Sequence, residues 1–270
     1  MSTALAVALA GALGVLAALA FIVRRLRAEV GRHRTALGRS VERLEHIEQA
    51  FQRFAPLDIV EQFAQGANAA EPNHRRVTIM FADLKGFTPM SEKIPPAAMV
   101  DMLNGYFRAM NGALVAHHGH LSRLMGDGLM ALFGALEHNP WQTADAVKAA
   151  LAMREALAAY NQEIERRGLA KLEFGVGIHT GDVVAGLMGS DRFMEFTVIG
   201  DPVNIAARVE ALTRVHQVDI LVTEDVMKTL DPRFVARPMP PVAVKGKTEP
   251  IATFAIESFD AASQEGRRRA

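Results

Sequence analysis

The chain has 270 residues, half of them apolar and 22% charged, which suits one or two packed domains of ordinary size and excludes wholesale disorder. Lysine and arginine (30) balance aspartate and glutamate (30), so the basic excess of a nucleic-acid binder is missing. With no cysteine the chain has no disulfide, thiolate metal site or cysteine nucleophile, and aromatics at 6% argue against a stacking platform.

Residues 4–23 carry no charged or strongly polar side chain. A helix of that length spans about 30 Å, the thickness of a bilayer's hydrocarbon core. Arg24, Arg25 and Arg27 follow at once, which places the C-terminal side in the cytoplasm. A cleaved signal peptide is the rival reading, but Met1-Ser2-Thr3 offers no basic leader. Residues 1–23 are therefore expected to be a single-pass anchor in a bacterial cytoplasmic membrane.

Over residues 24–74 the pattern changes. Val30, Leu37, Leu44 and Phe51 recur every seven residues, with Leu26, His33, Ser40, Ile47 and Phe54 as a second seam and charges between them. This predicts a two-stranded coiled coil; an amphipathic helix lying on the inner leaflet is the alternative. A further short helix is expected over 58–63, then a loop over 66–73.

From residue 75 strands and helices alternate. The apolar run 77–83 reads as a strand buried on both faces. Residues 97–118 and 143–167 read as amphipathic helices, and 121–124 with 129–133 as a hairpin closed by Met125-Gly126-Asp127-Gly128. Strands are expected at 172–178, at 196–199 and near Ile220 and Phe254, with a helix over 202–216 that Asp201 would cap. Strand, helix, hairpin, helix, strand is the order of an α+β, ferredoxin-like βαββαβ sandwich.

Two carboxylates sit where strands end in glycine: Asp83 before Leu84-Lys85-Gly86, and Asp127 between two glycines. In this fold the first strand and the hairpin are neighbours, so both can converge on one edge and suit hard divalent cations beside a phosphate chain. Each also has a plainer reading, as a turn cap and as a hairpin aspartate. Asn204 and Arg208 stand four apart on one helical face, where an amide and a guanidinium could hold a ribose and a phosphate; on spacing alone a solvated face, with Arg208 paired to Glu210 or water, is the better reading. His117, His118 and His120 read as a polar helix end, His179 as a structural turn residue, and Met125, Met130 and Met188 as core.

Phe81-Ala-Asp-Leu-x-Gly-Phe-Thr, Met125-Gly-Asp-Gly-Leu-Met-Ala-Leu-Phe-Gly and Phe196-Thr-Val-Ile-Gly-Asp-x-Val-Asn-x-Ala-x-Arg, in that order, resemble the class III nucleotidyl cyclase catalytic domain. The resemblance spans residues 75–258 and leaves 259–270 as a basic tail. It implies a head-to-tail homodimer with active sites at its interface. Asp83 and Asp127 of one chain would hold two Mg²⁺ or Mn²⁺ ions. From the other chain Asn204 would orient the ribose, Arg208 would stabilise the transition state and Lys245 would contact the triphosphate. The implied reaction converts ATP to 3′,5′-cyclic AMP and pyrophosphate.

Base selection departs from the family pattern. Arg123 stands where adenylate-type members generally carry lysine, with Thr197 as its partner position. Arginine does not replace lysine conservatively, because its planar fork is bulkier and aims differently. A cation and a hydroxyl still match adenine, and the glutamate of guanylate-type members is absent. A guanylate or relaxed-specificity cyclase, or a silent nucleotide-binding regulator, remains the alternative. No nucleic-acid partner is expected.

Overall fold

The computed structural model describes residues 14, 19, 24–27, 29–31, 33–34, 37–45, 73–190, 193–242 and 251–260. The chain divides into two compact units, Met1–Ala64 and Gln65–Ala270. In the first unit every described residue is helical, and Leu26, Val30, Leu37, Val41 and Leu44 are exposed along it. The expected anchor and the segments at 58–63 and 66–72 fall almost wholly outside the described residues. Among the described residues no helix is long and apolar enough to cross a membrane.

The second unit is built on strand β1 (Asn73–Leu84), whose alternate side chains are buried on two different layers. Met80, Ala82 and Leu84 face helices α2 (Pro96–Ala116) and α3 (Gln142–Arg166), whose apolar stripes supply Met102, Tyr106, Met110, Val147, Met153 and Ile164 to one core. Val77 and Ile79 point the other way, into a second core with Val183, Val198 and Ala206. A strand covered on both faces must be almost wholly apolar, which explains the run from Ile79 to Ala82, while the buried Thr78 hydroxyl is satisfied by Thr180.

β1 pairs antiparallel with β3 (Gly128–Phe133) and β4 (Phe174–Ser190), and β3 with β2 (His120–Met125). The order β2-β3-β1-β4 is the ferredoxin-like core. It extends through β6 (Ile220–Thr223), parallel to β4, and then β8 (Thr253–Phe259) and β7 (Phe234–Pro238), while β5 (Phe193–Ile199) returns along the far half of β4. Short helices α1 (Phe87–Ser91) and α5 (Glu224–Met227) and the longer α4 (Asp201–His216) complete the unit. Helix α4 lies on the face opposite α2 and α3, with Val203 and Ala206 against the second core and Val209 and Leu212 in a third cluster.

Several expectations need correction. β4 runs 17 residues rather than seven, because its second half finds partners in the start of β1 and in β5. β1 begins at Asn73, inside the expected loop. Gly200 occupies the cap position of α4 without a side-chain cap bond, and Asp201 is its first helical residue, where a carboxylate favours the helix dipole. His179 lies in mid-strand, buried, with Nδ1 2.8 Å from Thr223 Oγ1, rather than in a turn. Met130 is core, but Met125 is 41% exposed.

Candidate active site

Asp83 closes β1 on the α4 face, one pleat beyond Phe81. Across β3 the chain reverses in the two-residue loop Gly126-Asp127, with Met125 paired to Gly128. Gly126 has φ +67 and Asp127 does not share a positive φ, the pattern of a type II′ turn led by glycine. A Cβ on Gly128 would stand 2.9 Å from Asp83 Oδ1, so this glycine leaves the carboxylate its space. Asp83 and Asp127 stand close enough for each carboxylate to feel the other. Burial and the Asp83 charge push the Asp127 carboxyl above its ordinary range.

Helix α4 is seated against this edge with almost no spacer. Gly175 lies opposite Asp83 and Gly177 opposite Phe81 in the β1–β4 ladder. A Cβ on Gly175 would collide with Thr213 Oγ1, and one on Gly177 with the Glu210 backbone. The close approach brings Glu210 and Arg214 to Asp83. Arg214 donates through Nη2 to Asp83 Oδ2 and through Nη1 to Glu210 Oε1 at 3.0 Å. Burial pushes the Glu210 carboxyl up to about 7, against the pull of Arg214. Burial works against the Arg214 charge too, but Glu210 and Asp83 outweigh it and hold its pKa up. Beneath the cluster the buried Tyr106 hydroxyl has no hydrogen-bond partner; burial, then Asp83, Asp127 and Glu210, raise its pKa.

Two turns earlier on α4, Asn204 is exposed and Arg208 half-buried. Arg208 Nη1 is buried without a hydrogen-bond partner. A donor left in that state is costly, and an incoming anion would satisfy it. The alternative pairing of Arg208 with Glu210 is not formed; Glu210 is held by Arg214 instead.

Arg123 and Thr197 lie on β2 and β5, which approach each other: Ser122 Oγ donates to the Phe196 carbonyl at 3.2 Å, and the His120 and Phe196 rings stand 6.3 Å apart. Thr197 is buried opposite Gly186. Arg123 is clasped side-on by Glu195, with Nε–Oε1 2.8 Å and Nη2–Oε2 2.6 Å, and this bond raises its pKa. Glu195 was legible in the sequence only as the residue two before Thr197, on the same strand face. Lys245 lies outside the described residues.

A model of the adenylate and guanylate cyclase catalytic domain matches residues 69–258. The chain belongs to this cyclase family. Among relatives, an adenylate cyclase of Anabaena cylindrica is 35% identical over 244 residues, covering 86% of this chain and 48% of that protein. The chain thus spans about half the length of this curated relative. Among solved structures, the guanylyl cyclase Cya2 is 31% identical with a TM-score of 0.67, covering 72% of this chain and 97% of that one. The adenylyl cyclase CyaB of P. aeruginosa is 28% identical, also at 0.67, covering 71% and 98%. The cyclase fold therefore accounts for the second unit, and both base specificities occur among its relatives.

The donor set fits hard divalent ions. Asp83 and Asp127 offer converging carboxylate oxygens with Gly126 and Gly128 beside them, and no soft ligand intrudes. Among the described residues no group of three or more histidines and carboxylates is placed to hold a metal, so an ion on the two aspartates would be completed by water, and by the substrate's phosphates once nucleotide binds.

Proposed function

We propose that the protein is a membrane-anchored homodimeric adenylate cyclase that closes ATP to 3′,5′-cyclic AMP with release of pyrophosphate. The observation that carries this reading is the convergence of Asp83 and Asp127 at one end of the sheet, together with an unpaired Arg208 donor on α4 that would serve a nucleotide held by a second copy. Held by the two aspartates, two Mg²⁺ or Mn²⁺ ions would supply Lewis acidity to the attacking hydroxyl and charge neutralisation to the triphosphate.

The protein's own groups do the rest. The ribose 3′-hydroxyl gives up its proton to water as its oxygen bonds to the α-phosphorus, the bond to the bridging oxygen breaks so that pyrophosphate leaves with it, and charge grows on the equatorial oxygens. Arg208 presents guanidinium donors to that charge from a fixed helix, so its contribution is greatest in the transition state. Asn204, one turn earlier and exposed, orients the ribose. Lys245 neutralises the outer phosphates, and the Thr197 hydroxyl meets the adenine edge.

Two chains are required because the metal half and the Arg208 half come from different protomers. Exposed Leu124, Met125, Met194 and Ile199 support this: large apolar side chains on the hairpin of Asp127 and on the strand of Thr197 suit contact with a second copy. The exposed Leu26, Val30, Leu37 and Leu44 fit a second helix in the same way.

A second reading, relaxed selectivity that admits GTP, rests on the Arg123–Glu195 ion pair, which engages the one cation at the base position. The test is product formation by the full chain in detergent with Mn²⁺ and ATP or GTP in parallel, against Asp83→Ala. Cyclic AMP lost in the variant supports the proposal. Cyclic GMP alone overturns the base assignment, and no product from a folded dimer overturns the enzyme.

A further inference from the structure

One guanidinium, that of Arg214, is shared by two carboxylates of unequal setting. Asp83 belongs to the metal pair at the end of β1, whereas Glu210 stands one turn before Arg214 on the same helix. Glu210 is nearly enclosed, with 11% of its side chain exposed, and Arg214 is the partner that neutralises it. Asp83 is more open, at 34%. Glutamate four residues before arginine is also the favourable orientation on a helix.

This arrangement places a cation where a divalent ion has to bind. An ion approaching Asp83 and Asp127 meets a positive charge already bonded to one of its two ligands, and that charge reaches Asp127 as well. Arg214 can yield without being stranded. Its planar fork is anchored through Nη1 on Glu210, so releasing Nη2 from Asp83 leaves the guanidinium neutralised and hydrogen-bonded. Without Glu210, leaving Asp83 would expose a half-buried cation with nowhere to go.

We propose that Arg214 is a resident counter-cation of the metal site, which competes with the divalent ion for Asp83 and retires onto Glu210 when the ion enters. The pair thereby sets how much free metal the site needs. This rests on the reading of Asp83 and Asp127 as metal ligands. It adds two residues that neither composition nor motif singled out.

The test is Mn²⁺ binding to the full chain in detergent, without nucleotide, followed by loss of the free-ion electron paramagnetic resonance signal. Removing a unit charge beside a partly exposed metal pair shifts affinity by about an order of magnitude. Arg214→Met is therefore expected to bind Mn²⁺ about tenfold more tightly than the unaltered protein. Glu210→Gln, which leaves Arg214 with Asp83 as its remaining carboxylate, is expected to bind about tenfold more weakly. Arg214→Lys keeps the charge and should stay within threefold. Arg214→Gln serves if the methionine variant does not fold, and is expected to tighten binding likewise. Unchanged or weaker binding in the neutral variants overturns the proposal, because it would make Arg214 merely a prop for Asp83. If the unaltered protein shows no Mn²⁺ binding that Asp83→Asn abolishes, the metal-site reading itself fails and the proposal falls with it.

Discussion

Adding one methyl group at Gly177 tests whether the seat of α4 matters for chemistry. A Cβ there would lie 2.1 Å from the Glu210 amide nitrogen, 2.6 Å from its Cα and 2.7 Å from the Val209 carbonyl carbon. All three are backbone atoms, so no rotamer change relieves the contact. Ordinary contact begins at about 3.4 Å, and the helix must therefore draw away from β4 by about 1.3 Å. Overpacking of this kind costs about 1–3 kcal/mol, which in a domain of this size lowers the melting temperature by roughly 2–10 °C. The larger effect is on the groups that ride on the helix. A displacement of about 1 Å in positioning groups lowers turnover by about 10²-fold, and Asn204, Arg208 and Arg214 all move with α4. Gly177→Ala is thus expected to remain folded and to lose about two orders of magnitude in kcat. Gly112→Ala is the control: it is exposed on α2 with nothing within 4 Å of the new atom, and alanine should stabilise that helix by about 1 kcal/mol. Cyclic nucleotide output and thermal melting of the three proteins decide the matter. A Gly177→Ala protein with turnover within threefold and an unchanged melting temperature would refute the close seating of α4 as the device that positions the site.

Arg208→Ala should lower kcat by about 10³-fold with little change in nucleotide affinity, measured by steady-state kinetics beside binding of a non-cyclisable ATP analogue; equal losses in both would remove its transition-state role. Glu195→Gln frees Arg123 from its ion pair and should change the ratio of ATP to GTP turnover at least severalfold; an unaltered ratio would show that Arg123 takes no part in base selection. Because burial raises Glu210 to about 7, the metal-free protein holds that proton more tightly folded than unfolded. The resulting stability is present in full below about pH 4.5 and fades as pH rises through about 7, a change of up to about 3 kcal/mol. Melting curves across that range should slope downward for this reason, and Glu210→Gln should flatten the slope; an identical slope would contradict the shift. Inserting three or four residues after Ser40 turns the exit of the predicted coil and should change activity strongly, and activity that stayed the same would detach the linker from control of the catalytic halves.

The core of the fold was legible because its signals are local. An apolar run marks β1, Gly-Asp-Gly marks the hairpin and 3.6-residue stripes mark α2 and α3. What was illegible depends on partners far away in sequence. Thr180-Gly181-Asp182 looks like the end of a strand, yet β4 continues because Asn73 to Arg76 are there to pair with residues 182–185. β7 ends in Arg237-Pro238, a sequence that argues against a central strand but is tolerated at the edge it occupies. The site divides in the same way. Asp83 and Asp127 announce themselves by their glycines, whereas the bond from Arg214 to Asp83 spans 131 positions and that from Arg123 to Glu195 spans 72. No spacing rule reaches that far, since such pairs are set by how closely α4 and β5 come to the sheet.

Strand β4 links several parts of this design. It pairs with the strand of Asp83, with the strand of Thr197 and with β6, and its Gly175, Gly177 and Gly181 leave room for the helix of Asn204 and Arg208. In the proposed dimer each protomer lends its aspartates to one nucleotide and its arginine to the other. Asp83 through β1 and Arg208 through α4 both bear on this single stiff element, so the two catalytic centres are mechanically in series. A nucleotide that tightens one centre pulls on a component of its twin, and first and second turnovers in such a pair are not independent events.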